Sequence, residues 1–449
     1  MTSPSRTTTY CMTLEAASAL LGQPVAPYIY LEQRAFRHIA CPRASIRSPM
    51  RFQLALLQLI GALRAASFPG AAFRGAASPE RDSTAHRYIP AGPNDMRGPC
   101  VGLNLLANHG YIPRNGIAPL LQSVLATVNV FGIGPDITLV AMLLSLWGAN
   151  LIELNVSIGG PQPSVVDQLI GGILHRPVGL NGTHNQFESD SSATRCDLAE
   201  CYDNSSVNEA AFAALIELFR DAPPGTDYRD ILNQHRKNRW EHSVATNPYF
   251  FYGPIDMIVS CITHELILSL ADFSDPSLPQ GRLDEGILAS MYGMHPVPTP
   301  DGGPVRYKYL YGTERLPDNW KRRPDTYLYA THGLPDLLRL WTTYPETLLV
   351  GGNLGRVNSF APLSIADFTG GRYTIETLLQ QDNAACFAFQ LAQVVFVGEL
   401  ATIEKIAASL FAELQRLVGL NNLQLACPEL EAFKLEMLDG YPGYRRRYG

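Results

Sequence analysis

The most informative segment of this sequence reads Arg97-Gly-Pro-Cys-Val-Gly-Leu-Asn-Leu-Leu-Ala-Asn-His-Gly-Tyr-Ile-Pro-Arg-Asn-Gly116. Within it, Cys100 lies between Pro99 and an apolar run that is typical of a helix. Backbone N–H groups at a helix start and the positive end of the helix dipole both lower the pKa of a thiol placed there. We therefore expect a stabilised thiolate at Cys100, able to ligate a soft metal centre or to attack as a nucleophile. The alternative is a small buried hydrophobic residue.

This segment resembles the proximal-ligand signature of the fungal heme-thiolate peroxidases, the group of chloroperoxidase and the unspecific peroxygenases. Their signature reads Pro-Cys-Pro before a run of the type Asn-His-Gly-Tyr-Leu-Pro-Arg. The present chain has Val101 where the second proline is usual, a change that removes no N–H donor. The resemblance implies a mainly α-helical, chloroperoxidase-like heme domain with many loops, in which Cys100 ligates the iron of heme b.

A second segment lies downstream, between Gly179 and Arg195. Its core, Glu188-Ser-Asp-Ser-Ser192, resembles the acidic motif of the same family, usually Glu-Gly-Asp or Glu-His-Asp, then any residue, then Ser. Glu188 and Ser192 are four residues apart, so on one helical turn their oxygens would face one point. A carboxylate, the carbonyl of Ser189 and a hydroxyl would suit Mg²⁺, which a heme propionate completes in the family. The alternative is a solvated acidic helix start with serine caps.

Cleavage of peroxide needs an acid-base group on the distal side. Short family members use the histidine of Glu-His-Asp, whose position is Ser189 here. Long members pair a glutamate with an arginine seven residues earlier, after an Asn-Pro-x-Phe segment, but the corresponding residue here is Ile258. We expect Glu265 to be the acid-base, with His264 as the second candidate. The alternative is an ordinary polar pair on the outer face of the helix.

The residue before the acidic motif, Phe187, matches a family position that lines the distal pocket. An aromatic ring there would guide flat, apolar substrates, whereas a core phenylalanine is the alternative. A thiolate ligand favours cleavage of the O–O bond of peroxide, and the sequence has no dinucleotide-binding fingerprint. We expect a peroxygenase or peroxidase that uses hydrogen peroxide on small organic substrates, aromatic or apolar, with halide oxidation as a further activity. The other class is a non-catalytic or specialised heme-binding protein of the same fold.

Composition agrees with a large enzyme and disfavours nucleic-acid binding. The 449 residues are 46% hydrophobic and 17% charged, the formal net charge is −6, and no basic stripe with interleaved aromatics appears. The most apolar window, Leu139–Ile152, is too short to span a membrane and is typical of a buried helix. Further helical patterns cover residues 119–130, 209–219, 255–270, 334–342 and 375–418 of one domain that we predict over residues 68–449.

The N-terminal part has the features of a targeting segment. Residues 50–67 combine a charge, a leucine-rich core and small residues, as in a secretory signal peptide, so residues 1–49 would be a doubtful leader. An amphipathic helix of an intracellular protein is the alternative. Secretion would agree with three glycosylation sequons, at Asn155, Asn181 and Asn204, and with disulfide bonds. The candidate pairs are Cys386–Cys427 and Cys196–Cys201.

Overall fold

The computed structural model describes residues 86–444 apart from 146–147, 151–152, 154, 163–176, 300–301, 379, 381–382, 384–385, 388–389 and 391–432. The predicted leader, the predicted signal peptide and most of the helical pattern over residues 375–418 lie outside the described residues. They therefore remain predictions.

Helices dominate the described residues, as the sequence predicts. The α-helices are α1 Val101–Asn108, α2 Leu120–Phe131, α3 Pro135–Ser145, α4 Leu198–Cys201, α5 Glu209–Asp221, α6 Tyr228–Thr246, α7 Pro254–Leu266, α8 Glu285–Met291, α9 Leu334–Thr343, α10 Ile365–Phe368 and α11 Ile375–Leu378. Shorter 3₁₀ segments span Leu180–Gly182, Ile267–Leu270, Pro345–Leu348 and Leu435–Gly440, and a π-helical turn spans Tyr329–Gly333. The helical patterns near residues 119–130, 209–219, 255–270 and 334–342 are thus confirmed.

Strands are few and short in the described ranges. They are β1 Ile117–Pro119, β2 Ala149–Asn150, β3 Asn155–Ser157, β4 Phe251–Tyr252, β5 Met294–Val297, β6 Arg306–Tyr309, β7 Gly351–Asn353 and β8 Phe360–Pro362. They form three antiparallel sheets, with the orders β1-β3-β2, β4-β7-β8 and β5-β6. The sheet β4-β7-β8 sets the start of α7, because β4 ends at Tyr252 and α7 begins at Pro254.

The buried apolar side chains form two clusters. The first surrounds α1 and α2 and includes Leu105, Leu106, Phe131, Phe212 and Trp320. The second surrounds α7 and α9 and includes Tyr252, Cys261, Trp341, Phe368 and Tyr373. Phe187 and Ile262 pack against both clusters, and Cys100 packs against the first. Phe187, beside the acidic segment, and Ile262, on α7, therefore lie where the two clusters adjoin.

The start of α1 is fixed by its own side chains. Asn104 accepts a hydrogen bond from the Gly98 amide (3.1 Å) and donates one to the Gly98 carbonyl (3.0 Å). Gly98 has no room for a side chain, because an added Cβ would lie 2.0 Å from the carbonyl oxygen of Ile158. This close approach holds the loop before Cys100 against the chain near Ile158, so the cysteine enters the helix at a fixed position.

Helix α6 was not predicted, although it is the longest helix among the described residues, with 19 residues. Its buried face is largely polar and includes His235, Arg236 and Arg239. The Arg236 guanidinium donates to the carbonyl and hydroxyl of Ser191, and Arg239 Nε donates to the carbonyl of Ser192 (2.9 Å). Helix α6 therefore serves as a polar support for the acidic segment, which explains its lack of an apolar stripe.

None of the described helices combines the length and the apolar composition that a membrane crossing requires.

Candidate active site

Cys100 caps α1, as the sequence predicts, with the extended backbone angles φ −85° and ψ 104°. The backbone N–H groups of Gly102 and Leu103 approach its sulfur, although none makes a regular capping hydrogen bond. The expected lowering of the thiol pKa is wrong for the chain by itself. Burial raises the pKa of Cys100, and the two N–H groups and the Arg195 charge only partly offset this. A bound metal ion would supply the positive charge that the Cys100 sulfur needs to ionise.

The acidic segment is not helical, so the predicted single turn joining Glu188 and Ser192 is wrong. The chain bends between these residues, Ser191 has a left-handed backbone (φ 57°), and the next helix begins only at Leu198. The bend forms because Arg236 and Arg239 bind the carbonyls of Ser191 and Ser192, which an isolated helix would bond internally.

The alternative of a solvated acidic helix start is wrong as well. Glu188 is 5% exposed and Asp190 is 2% exposed. Asp190 accepts hydrogen bonds from the backbone N–H of Leu198 (3.0 Å) and from Asn247 Nδ2 (2.8 Å). Asn247 Nδ2 also donates to Asp197 (3.0 Å). Burial and the neighbouring Asp197 charge raise the pKa of Asp190. Asp190 and Asp197 therefore connect the acidic segment to Asn247 by hydrogen bonds.

Two residues that the sequence analysis missed hold the Glu188 carboxylate. His184 Nδ1 lies 2.7 Å from Glu188 Oε2, and Asn204 Nδ2 donates to the same oxygen over 2.6 Å. Burial alone would lower the pKa of His184, but the charges of Glu188 and Asp190 outweigh it and raise this pKa to about 10. The signal that could have found His184 is its position four residues before Glu188. Asn204 was predicted as a glycosylation site because it lies in a sequon, and its role as a partner of Glu188 was therefore not recognised.

The other oxygen, Glu188 Oε1, is buried and has no hydrogen-bond partner. Ser189 Oγ lies 3.1 Å from Ser260 Oγ on α7, and Ser192 is half-buried. Across the described part of the chain, no three or more His, Cys, Asp or Glu side chains come together as metal ligands. An ion at Glu188 would therefore depend on this one carboxylate oxygen, on carbonyl and hydroxyl oxygens and on a ligand from outside the chain.

The position of Asn204 in the fold does not favour the glycosylation predicted there. Its side chain is buried, and besides Glu188 it binds the carbonyl of Asn181 (3.2 Å). A glycan on this amide would replace one of its two N–H hydrogens and so remove one of these hydrogen bonds. The sequons at Asn155 and Asn181 involve half-buried side chains and remain predictions.

Glu265 and His264 are both buried, so the alternative of a polar pair on an outer helix face is wrong. Glu265 is 1% exposed, and neither of its carboxylate oxygens has a hydrogen-bond partner. Burial and, next, the Asp336 charge raise the pKa of Glu265 to about 8, against the effect of Arg229. Asp336 in turn accepts from Arg229 Nε and from the Tyr327 hydroxyl, each over 2.7 Å.

His264 has a different environment from its neighbour. Its Nδ1 donates to the carbonyl of Ser260 (2.8 Å), its Nε2 has no partner, and its ring centroid lies 5.4 Å from that of His235 on α6. Burial and the nearby Arg236 charge lower the pKa of His264. It is therefore a neutral imidazole on the α6 side, while Glu265 lies on the α9 side.

The predicted Cys196–Cys201 disulfide is confirmed, while the Cys386–Cys427 pairing remains a prediction. Cys196 and Cys201 form a disulfide, with their Cα atoms 6.0 Å apart. Cys386 is disulfide-bonded, and Cys427, its predicted partner, lies outside the described residues. The free thiols in the described part belong to Cys100, which is partly exposed, and to Cys261, which is buried.

Comparisons with known proteins identify the family of this chain. The sequence model of the family described as Peroxidase, family 2, matches residues 86–325. The chain is 36% identical over 363 residues to the dothistromin biosynthesis peroxidase dotB of Dothistroma septosporum, covering 80% of this chain and 84% of the relative. It is 34% identical over 375 residues to the aromatic peroxidase fscJ of Fusarium equiseti, covering 80% and 83%.

A shorter match joins the chain to the aromatic peroxygenase of Coprinellus radians, with 35% identity over 171 residues, 37% of this chain and 62% of the relative. All three relatives are named as peroxide-using enzymes, which does not favour the alternative of a non-catalytic binding protein. The chain therefore belongs to the fungal heme-thiolate peroxidase family and is a hydrogen-peroxide-dependent oxidoreductase.

Proposed function

We propose that the chain binds heme b through the sulfur of Cys100 and uses hydrogen peroxide to oxygenate or oxidise small aromatic or apolar molecules. The observation that carries this proposal is which of the cysteines are free and exposed. Among those described, Cys100 alone combines a free thiol with partial exposure. Its helix-start position also directs the amides of Gly102 and Leu103 towards the sulfur. These amides would stabilise a thiolate once a metal ion neutralises most of its charge.

The residues around Cys100 fit an iron porphyrin that carries carboxylates. The sulfur is a soft donor suited to iron, and the neighbouring wall of α1 and α2 is apolar. Buried polar atoms without partners occur at Glu188 Oε1 and on the Arg195 guanidinium, where groups from outside the chain could satisfy them. When bound, a heme with a thiolate ligand supplies the redox chemistry that cleaves the O–O bond of peroxide.

In this proposal Glu265 moves a proton from one oxygen of hydrogen peroxide to the other. A pKa near 8 allows the carboxyl group both to accept and to release a proton close to neutral pH. The absence of a hydrogen-bond partner leaves both oxygens free for this exchange. His264 is the second candidate, since its Nε2 is also free, but its lowered pKa makes it a weaker base.

Phe187 is proposed to guide the organic substrate. It is half-buried at the junction of the two apolar clusters and directly precedes Glu188. Aromatic rings stack favourably on such a side chain. Two relatives, fscJ and the Coprinellus radians enzyme, carry the word aromatic in their names, which supports this substrate class for the present chain.

The test of the function is turnover of an aromatic ether and a phenol with isotopically labelled hydrogen peroxide. Label in the product indicates oxygen transfer, and coupled phenol without label indicates one-electron oxidation. Phe187→Ala should raise KM more than it lowers kcat if the ring positions substrate. A purified, heme-loaded protein that oxidises neither compound would contradict the proposal.

We further propose that Mg²⁺ binds to Glu188 Oε1, the Ser189 carbonyl and the Ser192 hydroxyl, with a heme propionate and waters completing the site. The buried Glu188 Oε1 supports this site, because it has no hydrogen-bond partner. The neighbouring His184 cation already neutralises part of the negative charge of the Glu188 carboxylate. Elemental analysis should find about one Mg²⁺ per heme, and Glu188→Gln should lose it. Asp275→Asn, at an exposed carboxylate, is the matched control and should keep it. No ion in the unmodified protein would refute the site.

Secretion is proposed on the disulfide bonds of Cys196, Cys201 and Cys386, which are typical of oxidising compartments. N-terminal sequencing of the protein recovered from the culture medium would test it. A mature start near residue 68 agrees with the predicted signal peptide, while protein retained in the cells without cleavage contradicts it.

A further inference from the structure

Arg195 is a buried cation with an unused hydrogen-bonding edge. The side chain is 2% exposed. Its Nη1 donates to the Thr194 hydroxyl (3.1 Å), while Nε and Nη2 have no partner. Leaving donors of a buried guanidinium unpaired is costly, because the charge has lost its water. A native protein keeps such a group where something else completes it.

The two free atoms define what that partner must be. The Nε–H and Nη2–H bonds of a guanidinium are parallel and lie on one edge, which matches the two oxygens of a carboxylate. No carboxylate of the described chain lies within ion-pair distance of Arg195. The Glu314 charge acts on Arg195, but Glu314 Oε1 accepts from Asn104 (2.9 Å) and Tyr309 (3.3 Å), and Glu314 Oε2, which has no hydrogen-bond partner, forms no ion pair with Arg195.

Arg195 is close enough to the cysteine for its charge to act on the sulfur. The guanidinium charge acts on the Cys100 sulfur and on the Tyr292 hydroxyl group, and Tyr292 is itself hydrogen-bonded to Thr194. Asn104, one helical turn after Cys100, connects through Glu314 to the same group of side chains. The Arg195 guanidinium therefore belongs to the surroundings of the cysteine proposed to bind the iron.

We propose that Arg195 binds one carboxylate of the porphyrin cofactor side-on, through Nε and Nη2. This inference rests on the proposed function, because it requires heme at Cys100. Heme b carries two carboxylates, and Glu188 with its ion is proposed for one of them. Arg195 holds the other, as a positioning residue that fixes the porphyrin relative to the sulfur.

The test compares two porphyrins that differ only in these carboxylates. Full-length apoprotein is titrated with ferric heme b and, separately, with its dimethyl ester, and the dissociation constants are obtained from absorbance. Arg195→Gln should weaken binding of heme b by about 10- to 100-fold, the effect of one charge-assisted bidentate pair. It should leave binding of the ester unchanged, because the ester carries no carboxylate charge.

Two further variants separate this role from a structural one. Arg195→Lys keeps the charge but loses the two parallel N–H donors of the guanidinium, so it should weaken binding of heme b by a smaller factor and leave binding of the ester unchanged. This variant also provides the test if Arg195→Gln does not fold. Arg97 is the matched control, since it is equally buried but all three of its side-chain nitrogens bind oxygens of the chain. Arg97→Gln should affect both porphyrins equally.

Equal loss of both porphyrins in Arg195→Gln, or no loss of heme b, would overturn the inference while leaving the proposed function in place. Failure of the unmodified chain to bind either porphyrin would instead refute the proposed function, and the inference with it. The long-wavelength Soret band of the reduced CO complex should persist in Arg195→Gln at saturating heme, because the sulfur ligand is unchanged.

Discussion

His184 Nδ1 lies 2.7 Å from Glu188 Oε2, and the two side chains are 9% and 2% exposed. The acidic segment thus contains a cation of its own, and one of the two Glu188 carboxylate oxygens has a partner without any bound ligand. The pair is separated by four residues but lies outside any helix, and the fold rather than a helical turn brings it together.

Removal of the histidine should leave a buried carboxylate without its counter-charge. His184→Asn is expected to destabilise the metal-free chain by about 3–5 kcal/mol, as for other broken buried pairs. Urea unfolding measures this. Lys237 and Glu241 provide the control, because they are also four residues apart and 2.8 Å from each other but their side chains are 26% and 51% exposed. Lys237→Ala should cost less than about 1 kcal/mol; similar losses in the two variants would contradict the buried pair.

Asn204 should carry no glycan, although it lies in a sequon. Its amide binds Glu188 over 2.6 Å inside the fold, so Asn204→Gln should destabilise the protein instead of removing a sugar. Peptide mass spectrometry after enzymatic deglycosylation of the secreted protein identifies the modified asparagines. Deglycosylation converts a modified asparagine to aspartate, so an Asn204 found as aspartate in correctly folded protein would refute the buried hydrogen bond.

The sequence predicted the elements whose cause is local. Cys100 and the run after it form a helix start because capping and apolar periodicity are properties of neighbouring residues. It did not predict α6, whose buried face carries Arg236 and Arg239 because it packs on another polar segment. Nor could it predict the bend at Ser191, which depends on donors more than 40 residues away in the chain.

The same division applies to the site. Glu188 could be recognised from its motif, whereas its partners His184 and Asn204 depend on a loop closure that local patterns do not encode. The pKa of Cys100 was predicted in the wrong direction, because the helix-start effect is local and visible in sequence but burial is not.

Glu265→Gln should slow the reaction of the heme-loaded enzyme with hydrogen peroxide by about 10²–10⁴-fold, the usual effect of losing a positioned acid-base. Stopped-flow absorbance measures this step directly. The spectrum of the reduced CO complex should be unchanged, because glutamine keeps the shape of the side chain.

His264→Ala is the neighbouring control for this rate. If Glu265 transfers the proton, this variant should react nearly as fast as the unmodified enzyme. Should the histidine variant be the slow one, the imidazole Nε2 performs the transfer, and our assignment to Glu265 is wrong.

The raised pKa of Glu265 also predicts a pH dependence of stability. Its folded-state pKa of about 8 lies above the usual value of 4.5, so the folded chain holds this proton more tightly than the unfolded chain. The stabilisation is complete below pH 4.5 and is lost as pH rises through 8. Glutamine cannot ionise and lacks this contribution.

The measurement is the free energy of unfolding of both chains between these pH limits, without added heme. The difference between the unmodified chain and Glu265→Gln should fall with pH by at most about 1.4 kcal/mol per unit. A difference that is flat over this range would show that the carboxyl group titrates normally and is not buried as described.

The proposed function depends on the sulfur of Cys100 binding the heme iron. The most direct measurement is the absorption spectrum of the purified, reduced protein under CO. We predict a Soret band at the long wavelength typical of thiolate ligation, and its loss in Cys100→Ala. A Soret band at the ordinary position of a nitrogen-ligated heme, or an unchanged long-wavelength band in Cys100→Ala, would contradict it.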